Sequence, residues 1–288
     1  MKYYTAAGLM SPAKGLGSVY KLNMNMKVVR MMLMILVLML VSCNPKTDSF
    51  SFVQLCDPQL GMGGYQHDIE AFQKAIERIN AMDVDFAVIC GDLVNHATDS
   101  SFADYIAIRD QLEIPFYEVP GNHDIGKDPT DSSLAYYRTT IGKDYYTLEH
   151  EGISFIFVNT QLWKSDAGVE SALHDDWFKS TINSREMKER IVMVGHYPLF
   201  IKEPTEEENY SNLPPEKRTE LLEILRKKDV AAYLSGHRHA SVIHNHEGIH
   251  LVTGETTSRQ FDERPLGFRK WTVLKDTVTH SFVNLETE

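Results

Sequence analysis

Five short, largely apolar runs recur along the chain. Four are followed directly by an aspartate, a glycine or a proline, and the fifth by Ser235-Gly236. Runs of four or five such residues suit buried strands but are too short for helices. We therefore predict buried strands over Phe52–Cys56, Phe86–Cys90, Phe116–Val119, Ile191–Val194 and Val230–Leu234.

Between the first two runs, the apolar positions follow a helical period instead. Ile69, Phe72, Ile76 and Ile79 fall on one face of a helix over His67–Met82, so this part of the chain predicts a β-α-β unit. Similar reasoning predicts helices over Ser100–Leu112 and Leu173–Asn183, and a helix that begins near Pro214-Pro215, where proline suits the first turn.

The chain beyond His239 changes character and predicts strands without intervening helices. These strands are expected over Ser241–His246, Ile249–Val252, Arg269–Lys275 and Val278–Leu285. Helices that alternate with strands, followed by a mainly β end, favour an α/β fold with two sheets. A TIM barrel is disfavoured because its helices would continue to the C-terminus.

Polar residues follow each of the five apolar runs. In an open α/β sheet, ligands gather at the carboxyl ends of the strands. A single aspartate there is often only a helix N-cap, but five blocks that combine carboxylates, amides and imidazoles favour two bound metal ions and metal-assisted hydrolysis. The blocks are Asp57-Pro58-Gln59, Gly91-Asp92, Gly121-Asn122-His123-Asp124, Gly195-His196 and Gly236-His237-Arg238-His239.

The charge of the chain limits its partners. The 288 residues carry a net charge of −11, which becomes −16 without residues 1–42, because that segment holds five Lys/Arg and no acid. An acidic body argues against nucleic acid as a partner. The continuous spread of the five blocks favours one catalytic domain over residues 50–288.

The N-terminal segment has the features of an export signal. Lys27-Val28-Val29-Arg30 precedes the apolar run Met31–Val41, which is short for a membrane-spanning helix. The ending Leu40-Val41-Ser42-Cys43 resembles the lipobox of bacterial lipoproteins, in which the cysteine becomes the lipidated first residue. We therefore expect an upstream extension and signal peptide over residues 1–42, a tether over 43–49, and a protein anchored to a bacterial membrane through Cys43, facing the periplasm or cell exterior. An uncleaved anchor with an incidental cysteine is the alternative.

Cys56 and Cys90 each precede a candidate metal-binding aspartate. They could form a disulfide in an oxidising compartment, or serve as small buried apolar residues. Neither is a predicted metal ligand, because Asp and His suit harder ions better.

The order of the five blocks resembles the calcineurin-like metallophosphoesterase superfamily, whose pattern is DxH, GDxx(N/H), GNH(D/E), a single His after a strand, and GHxH. Within it, the chain is most similar to the branch named calcineurin-like phosphoesterase domain-containing, which has DPQ as its first block and GNHDIG as its third. The similarity extends from about Phe50 to the C-terminus. It implies a two-sheet α/β sandwich flanked by helices, with the metal site at the carboxyl ends of the strands.

The resemblance also implies a role for each residue. Asp92 matches the carboxylate that bridges both metal ions, and His123 matches the residue above the leaving group, with Asp124 as its orienting partner. Asn95 is expected to secure the loop by hydrogen bonds. The remaining ligands are Asp57, Gln59 and His239 for the first ion and Asn122, His196 and His237 for the second.

The metals expected for this family are Mn, Mg, Fe or Zn. Gln59 stands where histidine is commoner, and its amide oxygen favours Mn²⁺ or Mg²⁺.

The predicted activity is a phosphomonoesterase that uses a metal-bound hydroxide on a phosphoprotein or a small phosphorylated metabolite. A phosphodiesterase or pyrophosphatase acting on nucleotides or envelope precursors is one alternative. A non-catalytic, metal-dependent surface binding protein is another, although it would have no need of His123.

Two surface loops allow more than one interpretation. Arg259 and Arg269 could bind a substrate phosphate or belong to a solvated loop with ordinary ion pairs. The acidic run Glu206–Glu208 with Tyr210 could form a lid over the site or a plain solvated loop.

Overall fold

The computed structural model of the protein describes residues 49–274 and 277–287. The predicted signal segment, Cys43 and all of the predicted tether except Ser49 lie outside these ranges. Within them, no helix is both long enough and apolar enough to cross a membrane.

The first sheet combines the N-terminal strands with the C-terminal hairpin. Its strands are β1 (Ser49–Leu55), β2 (Phe86–Ile89), β3 (Phe116–Glu118), β10 (Gly267–Leu274) and β11 (Thr277–Asn284). They lie in the order β11-β10-β1-β2-β3. β1, β2 and β3 are parallel to one another, whereas β10 is antiparallel to β1 and places Trp271 opposite Phe52.

The second sheet is built from the middle of the chain. Its strands are β4 (Tyr146–His150), β5 (Ile153–Phe157), β6 (Arg190–Val194), β7 (Val230–Ser235), β8 (Val242–His246) and β9 (Ile249–Thr253). They lie in the order β4-β5-β6-β7-β9-β8. The four central strands are parallel and the two edge strands are antiparallel to their neighbours.

Helices cover the outer face of each sheet. The helices are α1 (Tyr65–Asn80), α2 (Asp99–Arg109), α3 (Asn122–Ile125), α4 (Asp131–Thr140), α5 (Gln161–Lys164), α6 (Val169–Ile182) and α7 (Pro215–Lys227). Side chains of α1, α2 and α4 pack on one face of β1 and β2. Those of α6 and α7 pack on the outer face of β5, β6 and β7.

Aromatic side chains fill the space between the two sheets. Phe52 stacks on Phe86, with ring centroids 5.2 Å apart, and meets Phe155 of the second sheet edge to face at 5.4 Å. The one polar side chain in the predicted first strand, Gln54, also links the sheets. It is fully buried and donates to the carbonyl of Ser235 at 3.0 Å.

The α/β sandwich and its flanking helices confirm the predicted fold class. Each strand and helix predicted above is present, with ends that shift by up to four residues. The sequence reasoning missed β4, β5 and α4, together with the short helices α3 and α5. Cys56 and Cys90 are both buried free thiols.

Candidate metal centre

The candidate ligands lie at the carboxyl ends of parallel strands from both sheets. Asp57 and Asp92 follow β1 and β2 by two and three residues, and His196 and His237 follow β6 and β7 by two residues each. Two groups of side chains form there, Asp57 with Asp92 and His239, and Asp92 with His196 and His237. Within each group the candidate ligand atoms lie within 4.8 Å of one another, and all of these residues are buried.

One of the two groups is centred on His196. Its Nε2 atom lies 3.3 Å from Asp92 Oδ2, 3.1 Å from His237 Nδ1 and 3.3 Å from Asn122 Oδ1. A carboxylate, an amide oxygen and two imidazoles therefore converge, as predicted for the second ion.

The other group forms around Asp57. His239 Nε2 lies 3.6 Å from Asp57 Oδ1, and both carboxylate oxygens accept a hydrogen bond from the main-chain N–H of His237 at 2.9 Å. Gln59 donates its amide N–H to Asn95 Oδ1 at 3.2 Å, while its own carbonyl oxygen Oε1 is buried and has no partner among the described residues. Buried polar atoms rarely remain unpaired, so this oxygen is the atom that Gln59 would offer to a metal.

The hydrogen bonds of the three histidines fix which ring nitrogen can bind a metal. Nδ1 of His196 lies 2.7 Å from the carbonyl of Cys90, Nε2 of His237 lies 3.0 Å from that of Tyr210, and Nδ1 of His239 lies 2.6 Å from that of Arg259. A carbonyl only accepts, so these nitrogens donate, and the opposite nitrogen of each ring presents a lone pair to the site. Histidines that bind metals are commonly oriented in this way.

The backbone at the site is held in an unusual conformation. Among the described residues, eight other than glycine have a positive φ, and five of these are candidate ligands: Asp57, Gln59, Asp92, His237 and His239. This left-handed region is disfavoured for residues with a side chain and clusters at functional sites.

The glycines of the blocks allow the loops to approach closely. A Cβ atom on Gly121 would lie 2.2 Å from Asp92 Oδ1, and one on Gly236 would lie 2.5 Å from Asp57 Oδ2. Any larger residue would therefore displace the carboxylates.

The charges of the site are strongly coupled. Burial raises the pKa of Asp57 to about 6, against the opposing effect of His239. Burial lowers the pKa of His196, but Asp92, Asp57 and the Cys90 carbonyl together raise it by more, to about 9. Burial lowers the pKa of His237 well below its usual range, and His196 adds to this effect. Bound cations would displace the protons for which these groups compete, so the donor set fits a pair of divalent ions.

His123 lies next to this centre, but its orienting partner differs from the prediction. Its main-chain N–H donates to Asp92 Oδ1 at 2.8 Å, and its Nδ1 donates to the carbonyl of Asn95 at 2.9 Å. The Asp124 carboxylate was expected to orient the ring but instead accepts from the main-chain N–H groups of Leu93, Val94 and Gly121. Asp124 holds the loop backbone, and Asn95 orients the ring.

The two arginines considered for phosphate binding have different surroundings. Arg269 is buried and donates to Glu255 Oε1 at 2.5 Å. The expectations that it binds a substrate phosphate or belongs to a solvated loop were therefore both wrong. Arg259 is exposed, and its guanidinium lies 5.9 Å from the ring of Phe261. Phe261 in turn stacks on His239 at 4.7 Å, an aromatic neighbour that the sequence reasoning missed.

A two-sheet sandwich with carboxylates, amides and imidazoles grouped around a shared aspartate defines a metal-dependent phosphoesterase with an expected dinuclear site. The chain belongs to the calcineurin-like phosphoesterase family, whose sequence profile matches residues 50–241.

Proteins similar to this chain include two named as serine/threonine-protein phosphatase CPPED1. The one from Danio rerio is 27% identical over 82% of this chain and 85% of its own length. The one from Mus musculus is 29% identical over 82% and 84%. The crystal structure of a dimetal phosphatase from Danio rerio shares the fold, with a TM-score of 0.61 and 15% identity over 82% of this chain and 96% of that one.

Proposed function

We propose that this metal-dependent phosphoesterase is a phosphomonoesterase that acts on phosphoserine or phosphothreonine in proteins, or on a small phosphorylated metabolite. The observation that carries the proposal is the bond from the His123 main chain to Asp92. Because Asp92 belongs to both ligand groups, this bond fixes the His123 main chain relative to both, and the Asn95 carbonyl orients the ring. A group that can protonate a departing alcohol is therefore built into the chain directly after the candidate ligand Asn122.

Each ligand set has a defined task. One ion would be held by Asp57, Gln59 and His239. The other ion would be held by Asn122, His196 and His237. Asp92 would contact both ions. Two bound cations would neutralise the phosphoryl oxygens and supply a hydroxide at neutral pH.

His123 would serve the leaving group. Its Nδ1 proton is committed to the carbonyl of Asn95, so Nε2 is the atom free to deliver a proton. A positioned imidazole of this kind typically contributes about 10² to 10⁴ in rate. Alcohols such as serine and threonine are poor leaving groups and require this assistance, whereas nitrophenols do not.

The surroundings of His123 support a large leaving group. An open groove of about 490 Å³ begins at His123 and is lined by His96, Lys127 and Tyr136, among others. The relatives named as protein phosphatases match over most of this chain, and this similarity also supports a phosphoprotein substrate.

The proposal is tested by a substrate panel assayed on protein of measured metal content. We expect a phosphoserine peptide and para-nitrophenyl phosphate to be hydrolysed faster than bis-para-nitrophenyl phosphate and a nucleotide diphosphate sugar. Preference for the bis ester would indicate a phosphodiesterase, and preference for the sugar nucleotide a pyrophosphatase. No turnover with both ions bound would indicate a binding protein.

The metal is proposed to be Mn²⁺ or Mg²⁺, because Gln59 provides an amide oxygen where an imidazole would favour Zn²⁺. Elemental analysis of the purified protein tests this proposal. Gln59→His should shift the preference toward Zn²⁺, and an unchanged metal profile would contradict the argument.

We further propose that the protein is exported and anchored to a bacterial membrane by a lipid on Cys43, as the Leu40-Val41-Ser42-Cys43 ending suggests. Cys43→Ser should move the protein from the membrane fraction to a soluble or unprocessed form. Unchanged membrane partition with an intact N-terminus in both forms would support an uncleaved anchor.

A further inference from the structure

Tyr210 lies at the rim of the metal centre and contacts one group of candidate ligands in three ways. Its ring lies 4.8 Å from the ring of His237, and its main-chain carbonyl accepts from His237 Nε2 at 3.0 Å. Its hydroxyl oxygen accepts from Asn122 Nδ2 at 3.3 Å, while Oδ1 of the same amide lies 3.3 Å from His196 Nε2. The residue is nevertheless 51% exposed, so it also faces the open side of the site.

The loop over residues 201–213, which carries Tyr210, is held in place by the buried Arg218 and the half-buried Glu206. Arg218 is fully buried and donates to the carbonyls of Leu199, Pro204 and Leu213 at 2.8 Å and to that of Glu206 at 2.6 Å. The Glu206 carboxylate accepts from the main-chain N–H groups of residues 201, 202 and 203 and from the side-chain amide of residue 212.

Lys164, at the end of helix α5, also holds this loop. Its ammonium group donates to Glu208 Oε1 at 2.8 Å and to the carbonyls of Asn209 and Asn212 at 2.7 and 2.8 Å. Sites that bind transition states need donors held by such supporting contacts, because donor positions must be fixed to within a fraction of an ångström. The rigid loop is therefore a means of fixing the position of Tyr210.

The hydrogen bonds of the Tyr210 hydroxyl leave one proton for a ligand. A phenolic hydroxyl has one donor and can also accept. Asn122 already donates to the oxygen, and none of the residues described in the structure accepts the hydroxyl proton. The ammonium of Lys127, which lies 5.1 Å from the Tyr210 ring, makes no ion pair within the described ranges and adds positive charge on this side.

We propose that Tyr210 is a substrate-binding residue whose hydroxyl donates a hydrogen bond to a non-bridging oxygen of the phosphoryl group. This inference rests on the proposed phosphoesterase function and adds a donor that belongs to neither ligand group. The ring and carbonyl keep His237 in place, and the hydroxyl serves the substrate. The phosphoryl group is thus held by a neutral protein donor as well as by the metal ions.

Tyr210→Phe tests this proposal because it removes the hydroxyl and keeps the ring and the carbonyl. We expect metal content to be unchanged, while affinity for inorganic phosphate, measured calorimetrically on the metal-loaded protein, falls about 10- to 100-fold. The value of kcat/KM on phosphomonoesters should fall by a similar factor. Tyr65→Phe is the matched control, since Tyr65 is 42% exposed and its hydroxyl donates to Asp104 at 2.7 Å. It should leave both measurements unchanged.

Two results would overturn the proposal. Phosphate affinity equal to that of the wild type would show that the hydroxyl makes no contact with the ligand. Loss of metal in Tyr210→Phe would show that the hydroxyl acts only by placing Asn122. Phosphate binding can be measured without turnover. If the wild type hydrolyses none of the esters, the proposed phosphomonoesterase function is refuted. The role of Tyr210 in phosphate binding is then still decided by the binding measurement.

Discussion

Asp92 is the residue that joins the two ligand groups. It is buried, belongs to both groups, and also accepts the His123 main-chain N–H through Oδ1. Burial raises its pKa, but His196, His123 and His237 together lower it by more, so the carboxylate is ionised and available to cations. The identity of this side chain therefore affects metal content and the position of His123 together.

Asp92→Asn should lose most bound metal and reduce turnover by at least about 100-fold, because a neutral amide cannot bridge two cations. The amide oxygen can still accept from His123, so circular dichroism should show an intact fold. Metal content is measured on the same sample as activity. Asp128→Asn is the control: it removes a charge from the exposed groove and should keep both ions. If Asp92→Asn retains two ions and a normal kcat, the bridging role of Asp92 is contradicted.

His123→Gln distinguishes a leaving-group acid from a metal ligand. We expect metal content near that of the wild type, and kcat on an alkyl phosphate lower by about 10² to 10⁴. The loss on an aryl phosphate should be smaller, because nitrophenolate departs without a proton. Equal losses on both esters, together with one missing ion, would exclude the role proposed for His123.

At this scale, the sequence predicted the residues of the site better than the bonds between them. Five candidate ligands could be identified because each lies within four residues after the end of a strand: Asp57, Asp92, His196, His237 and His239. The orientation of His123 could not be predicted, because its ring donates to the main-chain carbonyl of Asn95. Every residue has such a carbonyl, so the residue types do not indicate this bond. Asp124 is adjacent in the chain, yet its carboxylate is occupied by backbone N–H groups.

At the scale of elements, helix α7 matters to the site through the loop that precedes it. Arg218 in its first turn provides the donors for four carbonyls of the chain between β6 and α7. Sequence periodicity places this arginine on a helix but does not show that it is buried. Its hydrogen-bond partners are main-chain carbonyls, which are present in every sequence, so residue types alone do not identify them.

Arg218→Met should lower the free energy of unfolding by about 2 to 4 kcal/mol, because it leaves buried carbonyls without donors. The measurement is chemical denaturation. Arg226→Met on the same helix is the control, since that side chain is 55% exposed and its ion pair with Glu247 is long, at 3.4 Å. It should change stability by less than about 0.5 kcal/mol. Equal losses in the two variants would refute the role of Arg218 in holding the loop.

Two of the elements missed from the sequence, α4 and β4, have a weak apolar pattern, whereas β5 is a fully buried and largely apolar run that the prediction overlooked. Helix α4 buries only Leu134 and Tyr137, so its sequence lacks an apolar stripe. Strand β4 is an edge strand whose residues are half-buried or exposed. Tertiary contacts, such as Tyr146 with Phe157 at 4.6 Å, determine these elements more than local periodicity does.

At the scale of the whole molecule, the metal centre is a junction between the two sheets. Asp57 and Asp92 come from the first sheet, whereas His196, His237 and His239 follow strands of the second. Each ligand group contains residues from both. Bound ions would therefore connect the sheets at the end of the sandwich where Asp57 and Asp92 otherwise repel each other, as do His196 and His237.

Removal of the metal should therefore lower the stability of the folded protein as a whole. A ligand that binds only the folded state adds about 2.7 kcal/mol at 100 times its Kd, which for a domain of this size corresponds to about 5 to 10 °C in Tm. A chelator should lower the Tm by this amount, and excess Mn²⁺ should restore it. Asp92→Asn is the internal control, because its Tm should respond little to the chelator. A wild-type Tm that is unaffected by chelation, on protein shown to have lost its ions, would mean that the ions do not connect the sheets.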